Sequence, residues 1–107
     1  MNSLVQIIEP KGILDSTKTQ DFHHQLNKNI EVGAQIILVD FQDVTFMDSS
    51  GLGALVKALK IANTADVQLF LCSLNEQIKM LFELTSMDSY FNIYSSREEF
   101  EKQLKEQ

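Results

Sequence analysis

The residues of this 107-residue sequence best suited to chemistry form one short run, Asp48-Ser49-Ser50-Gly51-Leu52-Gly53. Asp and Ser are preferred at a helix start, because their side-chain oxygens accept from backbone N–H groups that lack a partner there. A helix start also stabilises negative charge, so a phosphate on a serine in this run gains from N–H donors and the helix dipole. The two glycines leave room in the first turn for a phosphate or a partner's backbone. The run predicts a phosphate-accepting site, although a plain helix cap with close packing uses the same residue types.

The strands expected around this run come from short apolar segments. Ile36 to Val39 is continuously apolar and ends at Asp40, which is typical of a strand covered on both faces. Runs rich in β-branched and aromatic residues predict four more strands, at Leu4 to Ile8, Ile13-Leu14, Val67 to Cys72 and Phe91 to Tyr94. The segment from Asp43 to Met47 is expected to be a loop or short turn with two apolar anchors, Val44 and Phe46.

Four helices are predicted from apolar residues that recur every three or four positions. The first is expected to be capped by Asp15 or Ser16 and to end near Gly33. The last opens with a capping box, in which Ser96 caps the helix and Glu99 can return the bond. The apolar faces of the four helices comprise Phe22, Leu26 and Ile30; Leu52, Leu55, Val56, Leu59 and Ala62; Ile78, Leu81, Phe82 and Leu84; and Phe100 and Leu104.

Strands that alternate with helices predict an α/β fold. We expect a mixed, mostly parallel β-sheet of four to five strands with about four helices, in one domain that spans residues 1–107. Ligand and partner sites in such sheets lie beyond the carboxyl ends of the strands. The segment from Asp40 to Gly53 follows the central strand, so the serine run is expected at that edge of the sheet.

The composition argues against several classes of partner. Nine basic and fifteen acidic residues give a net charge of −6, which disfavours a nucleic-acid backbone or an anionic membrane. The lone cysteine, Cys72, cannot form an internal disulfide. Residues 1–4 show no secretory signal pattern, and the apolar runs fall far below the ~20 residues that cross a bilayer. A cytoplasmic location is therefore expected.

The sequence lacks the motifs that are typical of common enzymes and metal sites. The sequence holds neither the glycine-rich loop of nucleotide-binding proteins nor the serine elbow of hydrolases. His23 and His24 are adjacent, so on a helix they point about 100° apart and are expected to be solvated. Cys72 is expected to be a small core residue. We therefore expect a non-enzymatic protein with no metal and no cofactor.

Two further interpretations stay open at this stage. Asp40 could be the phosphoacceptor of a receiver domain, but receivers need more acidic residues after the first strand than Glu9 and Asp15. We instead expect Asp40 to accept bonds from loop N–H groups. Three methionines could line an adaptable protein-binding surface, although core filling is expected for most of them. They are Met47, Met80 and Met87.

The segment from Val39 to Leu55, which contains the serine run, resembles the signature of STAS domains. It is most similar to that of the bacterial anti-sigma factor antagonists. Segments elsewhere in the chain are similar to the same family and follow its order: Gly12 to Asp15, Cys72 to Leu74, Leu81 to Thr85 and Phe91 to Tyr94. The resemblance extends over nearly the whole chain.

The resemblance implies a mechanism centred on Ser49. In antagonist members of the family, the serine at this position is phosphorylated by a partner kinase that is also the anti-sigma factor. The unphosphorylated form binds that kinase and frees the sigma factor, and a protein phosphatase resets the phosphorylated form. Partner contacts would then involve Asp48, Ser49, Ser50, Gly51, Leu52 and Gly53. The protein would be a monomer or weak dimer. A STAS scaffold, or a regulatory module acting on another target, is the alternative.

Overall fold

The computed structural model of the protein describes residues 4–106. In that part of the chain the order of helices and strands is the predicted one, with one additional strand. The elements are β1 Val5–Ile8, β2 Gly12–Leu14, α1 Thr19–Glu31, β3 Ile36–Asp40, β4 Val44–Met47, α2 Ser49–Thr64, β5 Gln68–Cys72, α3 Glu76–Leu84, β6 Asn92–Tyr94 and α4 Arg97–Lys105. A single 3-10 turn, Met87–Ser89, links α3 to β6.

The main sheet has the strand order β1-β3-β5-β6, and a separate pair joins β2 to β4. All these pairings are parallel. The prediction of an α/β fold with a mostly parallel sheet and about four helices is therefore confirmed. Parallel strands all end at the same edge of the sheet, called its carboxyl edge. The chain leaves β3 at this edge and continues into β4 and then α2. The serine run was expected there.

The prediction of a loop from Asp43 to Met47 is wrong, since residues 44–47 form β4. Val44 and Met47 are buried, whereas Phe46, expected to be an anchor, is 45% exposed. The strand pairs with β2 in a register that is interrupted by a bulge. The two buried residues flank two exposed ones, so the alternation that marks a half-buried strand is absent from the sequence.

The two faces of the main sheet are covered unequally. Helices α1, α2 and α3 cover one face, with Leu26, Leu55 and Phe82 among the residues packed there. Helix α4 covers the other face, where the ring of Phe100 lies 5.3 Å from that of Phe70. Its capping residue Ser96 accepts from the backbone N–H of Glu99 at 3.1 Å, as predicted. The carboxylate of Glu99 does not return the bond but accepts from Gln103 at 3.4 Å.

Helix α1 begins later than predicted. It starts at Thr19 after Lys18, so neither Asp15 nor Ser16 caps it. The Asp15 carboxylate instead accepts from the hydroxyl of Thr17 at 2.6 Å and from its backbone N–H at 3.0 Å. These bonds favour the ionised form and lower the pKa of Asp15. They close a turn between β2 and α1, and the helix begins two or three residues later than predicted.

Candidate functional site

Ser49 is the first residue of α2, and its side chain is exposed. The preceding residue, Asp48, is extended and caps the helix by accepting from the backbone N–H of Gly51 at 3.0 Å. Sequence alone left open whether the serines were needed as caps. Since Asp48 provides that bond, the hydroxyls of Ser49 and Ser50 are not needed for it and remain at the surface.

The two glycines of the run have different roles. Gly51 is buried, and a Cβ added there would collide with the backbone oxygen of Leu14 and lie 2.8 Å from Met47 Cγ. Gly51 is therefore needed for α2 to start against the β2–β4 pair. Gly53 is exposed, and a Cβ added there would meet no atom within 4 Å. The packing of the fold does not explain a glycine at position 53.

The six residues predicted to contact a partner are brought together but are not equally accessible. Ser49, Ser50 and Gly53 are exposed, and Asp48 is half-buried. Gly51 and Leu52 are buried, so they position the helix start and offer no surface to a partner in this conformation. Partner contact by the accessible residues stays a prediction.

Two residues that the sequence analysis did not select hold the site in place. The side chain of Gln77 accepts from the N–H of Met47 at 2.9 Å and donates to its carbonyl at 2.8 Å. Asn75 caps α3 through Ile78 N–H at 2.9 Å and donates to the carbonyls of Val44 and Thr45. Asn75 is a typical capping residue, but its link to β4 and that of Gln77 span about 30 positions in the chain and carry no local signal.

Asp40 lies at the carboxyl end of β3 and is 2% exposed. Its carboxylate accepts from the N–H of Gln42 at 3.0 Å, which confirms the expected bond to the loop backbone. The other oxygen lies 3.7 Å from the guanidinium of Arg97, which pairs with Glu9 at 2.9 Å. A buried carboxylate with these partners is poorly placed to receive a phosphate, which disfavours the receiver interpretation.

The remaining candidate residues divide between core and surface. His24 is exposed, but the prediction for His23 is wrong, because its Nε2 lies 2.9 Å from the backbone oxygen of Ala54. This bond links α1 to α2. Cys72 is a core residue as predicted, and burial raises the pKa of its thiol to about 11. Met47 is buried, whereas Met80 is 60% exposed.

Within residues 4–106, no three His, Cys, Asp or Glu side chains are grouped closely enough to hold a metal ion. No helix in the same part of the chain combines the length and apolar character that crossing a bilayer requires.

The fold and the capped serine site define a class of protein. The sequence model of the STAS domain family matches residues 2–100, and the chain belongs to that family. The "Anti-sigma-B factor antagonist" of Staphylococcus aureus (strain NCTC 8325 / PS 47) is 30% identical over 87 residues, 81% of each chain.

Solved structures with this fold are named for different functions. A crystal structure of a candidate anti-sigma factor antagonist from Thermotoga maritima has a TM-score of 0.82 and 25% identity, covering 92% of this chain and 86% of that one. A sulfate transporter family protein from Wolinella succinogenes also has a TM-score of 0.82, with 16% identity over 96% of this chain and 88% of that one. The shared fold therefore does not by itself identify the target of the protein.

Proposed function

We propose that this protein is a phosphorylation-controlled binding switch that acts in the cytoplasm. Its unphosphorylated form binds a serine kinase that is also an anti-sigma factor, and so releases a sigma factor. Phosphorylation of Ser49 abolishes this binding, and a protein phosphatase restores it. The protein performs no catalysis of its own and needs no cofactor.

One observation supports this switch most directly: an exposed serine hydroxyl follows a helix cap that is already complete. Asp48 holds the N–H of Gly51 at 3.0 Å, so a phosphate can be added at Ser49 without removing a bond that the helix needs. The positive end of α2 also favours an added negative charge at its first residue. Modification should therefore leave the fold intact.

The effect on binding is expected to be electrostatic and steric. A phosphoserine adds about −1.5 to −2 charges at pH 7. These charges would lie next to the Asp48 carboxylate, on a protein whose net charge is already −6. A partner surface that fits the neutral hydroxyl must then desolvate a dianion or oppose it with its own acids. A cost of roughly 2 kcal/mol weakens binding about thirtyfold.

The test begins with each serine kinase of the anti-sigma type that the source organism encodes. Each is purified and incubated with this protein, ATP and Mg²⁺, and the product is analysed by intact mass and peptide mapping. We expect one kinase to add a single phosphate, at Ser49. The variant Ser49→Ala should still bind that kinase but take up no phosphate, whereas the matched control Ser50→Ala should be labelled like the parent. Labelling confined to Ser50, or no labelling by any kinase, contradicts the proposal.

A scaffold or transporter-type regulatory module is the second candidate. The fold is compatible with it, because the Wolinella succinogenes transporter-family structure has the same TM-score as the Thermotoga maritima antagonist structure. Such a module would bind its target through the same fold without regulation at Ser49. Binding of a partner that is unchanged by authentic phosphorylation of Ser49 would favour this candidate.

A further inference from the structure

Four large apolar side chains are exposed on the part of the molecule that contains β4 and α3. Ile13 is 51% exposed, Phe46 45%, Met80 60% and Leu84 78%. We call these four residues the β4–α3 surface. Apolar side chains grouped at a protein surface mark sites of interaction more often than singly scattered ones do, so their relative positions decide whether they form one surface.

Ile13 and Phe46 are direct neighbours. They are register partners in the parallel pairing of β2 with β4, whose strands lie about 4.8 Å apart. The next register pair, Leu14 and Met47, is buried in the core. Because successive side chains of a strand alternate between faces, Ile13 and Phe46 share the outer face.

Met80 and Leu84 extend this surface along α3. Gln77 contacts the edge of β4 through Met47, and Met80 and Leu84 lie within about 60° of Gln77 around the helix. Ile78 and Phe82, which are buried, lie on the opposite side of Gln77. Moving around α3 from Gln77 away from the core therefore leads to Met80 and Leu84. The bonds of Asn75 and Gln77 hold the start of this helix against β4, the strand that carries Phe46.

The charges around the surface indicate the kind of partner. Four acidic residues flank it: Asp43, Asp48, Glu76 and Glu83, of which all except Asp48 are exposed. Two lysines offset part of this charge: Lys79 pairs with Glu76 at 3.5 Å, and the Lys18 ammonium donates to the carbonyl of Ile13 at 3.1 Å. Two copies of the chain placed face to face would bring these acids together, which disfavours self-association. An apolar patch surrounded by Lys and Arg fits the surface.

We propose that the β4–α3 surface is where the protein kinase that acts on Ser49 docks, through an apolar patch with a basic rim. This inference rests on the proposed function and adds the surface that provides affinity. Phe46 lies on β4, only three positions before Ser49 in the chain. A partner seated on the surface is therefore next to the hydroxyl that it modifies, and a phosphate there lies at the edge of the interface.

The test uses the kinase that labels Ser49 in the preceding experiment. The variants Phe46→Ser, Leu84→Ser and their combination are titrated against it, and their phosphorylation rates are measured over a range of substrate concentrations. The matched control is Val32→Ser, because Val32 is 62% exposed at the end of α1. Circular dichroism and thermal melting check that each variant is folded.

We expect the double variant to raise Kd at least tenfold and to raise KM for Ser49 phosphorylation in parallel, with kcat little changed. Val32→Ser should stay within twofold of the parent. If the parent is labelled but the folded double variant also binds within twofold of it, the docking surface is wrong while the switch at Ser49 stands. If the parent is neither bound nor labelled by any kinase, the proposed function itself fails. A dimer of the parent that the double variant abolishes would reassign the surface to self-association.

Discussion

The side-chain amide of Gln77 pairs with the backbone of Met47 as a neighbouring strand would, by bonding both its N–H and its carbonyl. Met47 is the last residue of β4 and immediately precedes the cap of α2. One side chain on α3 therefore fixes the strand end from which the serine site starts. The consequence is a dependence of the site's rigidity on a residue 28 positions after Ser49.

Replacing Gln77 with Ala should destabilise the protein by about 1–3 kcal/mol, because both backbone groups of Met47 lose their partners in a partly buried position. Urea unfolding measures the loss, and amide exchange at Met47 should accelerate more than exchange in β3. The variant Gln77→Glu is a useful comparison, because its side chain can still accept from the N–H of Met47 but cannot donate to the carbonyl of Met47 when ionised. A loss below about 0.5 kcal/mol for Gln77→Ala would show that the pairing contributes little.

Gly51 and Gly53 provide a matched pair of substitutions by Ala. At Gly51 the new Cβ meets the backbone of Leu14, so we expect a loss of about 1–3 kcal/mol or more in the free energy of unfolding. At Gly53 the Cβ enters open space, and the better helix propensity of Ala should stabilise the fold by about 0.5–1 kcal/mol. Thermal melting of both variants is the measurement, and equal effects at the two positions would contradict the geometry.

The same Gly53→Ala variant also reports on the partner. Packing does not require glycine at position 53, and Ala there is expected to stabilise the fold. Close approach of another protein is then the physical reason for a glycine at this position. We therefore expect weaker binding to the kinase from a protein that melts at a higher temperature. Unchanged binding would exclude position 53 from the contact surface.

The thiol of Cys72 predicts a pH dependence of stability on the alkaline side. Burial raises the pKa of this thiol from 9.0 to about 11, so the folded state keeps a proton that the unfolded chain releases. The stabilisation is complete below pH 9 and is lost as the pH rises through 11, with a slope of at most ~1.4 kcal/mol per pH unit.

Comparison with Cys72→Ala isolates this contribution, because other groups also titrate in that range. The difference in free energy of unfolding between parent and variant should be constant from pH 6 to about 8 and should then shrink toward pH 11. A difference that stays constant over the whole range would contradict a raised pKa for the buried thiol.

The sequence predicted most of the fold because most of its elements carry local patterns. The continuous apolar run of β3 and the spacing of Leu52 and Leu55 in α2 match their buried positions. Strand β4 was missed because its two outer residues face the core and its partner β2 is a three-residue strand about 30 positions earlier. Its exposed Phe46 could not be distinguished from a core residue by type.

The candidate site was predicted only in part, for a related reason. The cap, the serine and the glycines are adjacent in the chain, so their chemistry can be read locally. Gln77 contacts the site across 30 positions, and His23 reaches Ala54 across 31. Such side-chain bonds to backbone depend on how helices are placed, and residue type alone does not specify them.

The most direct test of the switch is a calorimetric titration of the kinase with protein phosphorylated at Ser49, beside the unmodified parent. Circular dichroism establishes that both forms have the same fold. We predict that phosphorylation weakens binding at least thirtyfold, which corresponds to roughly 2 kcal/mol. Binding of the phosphorylated protein with the affinity of the parent would contradict a switch at Ser49.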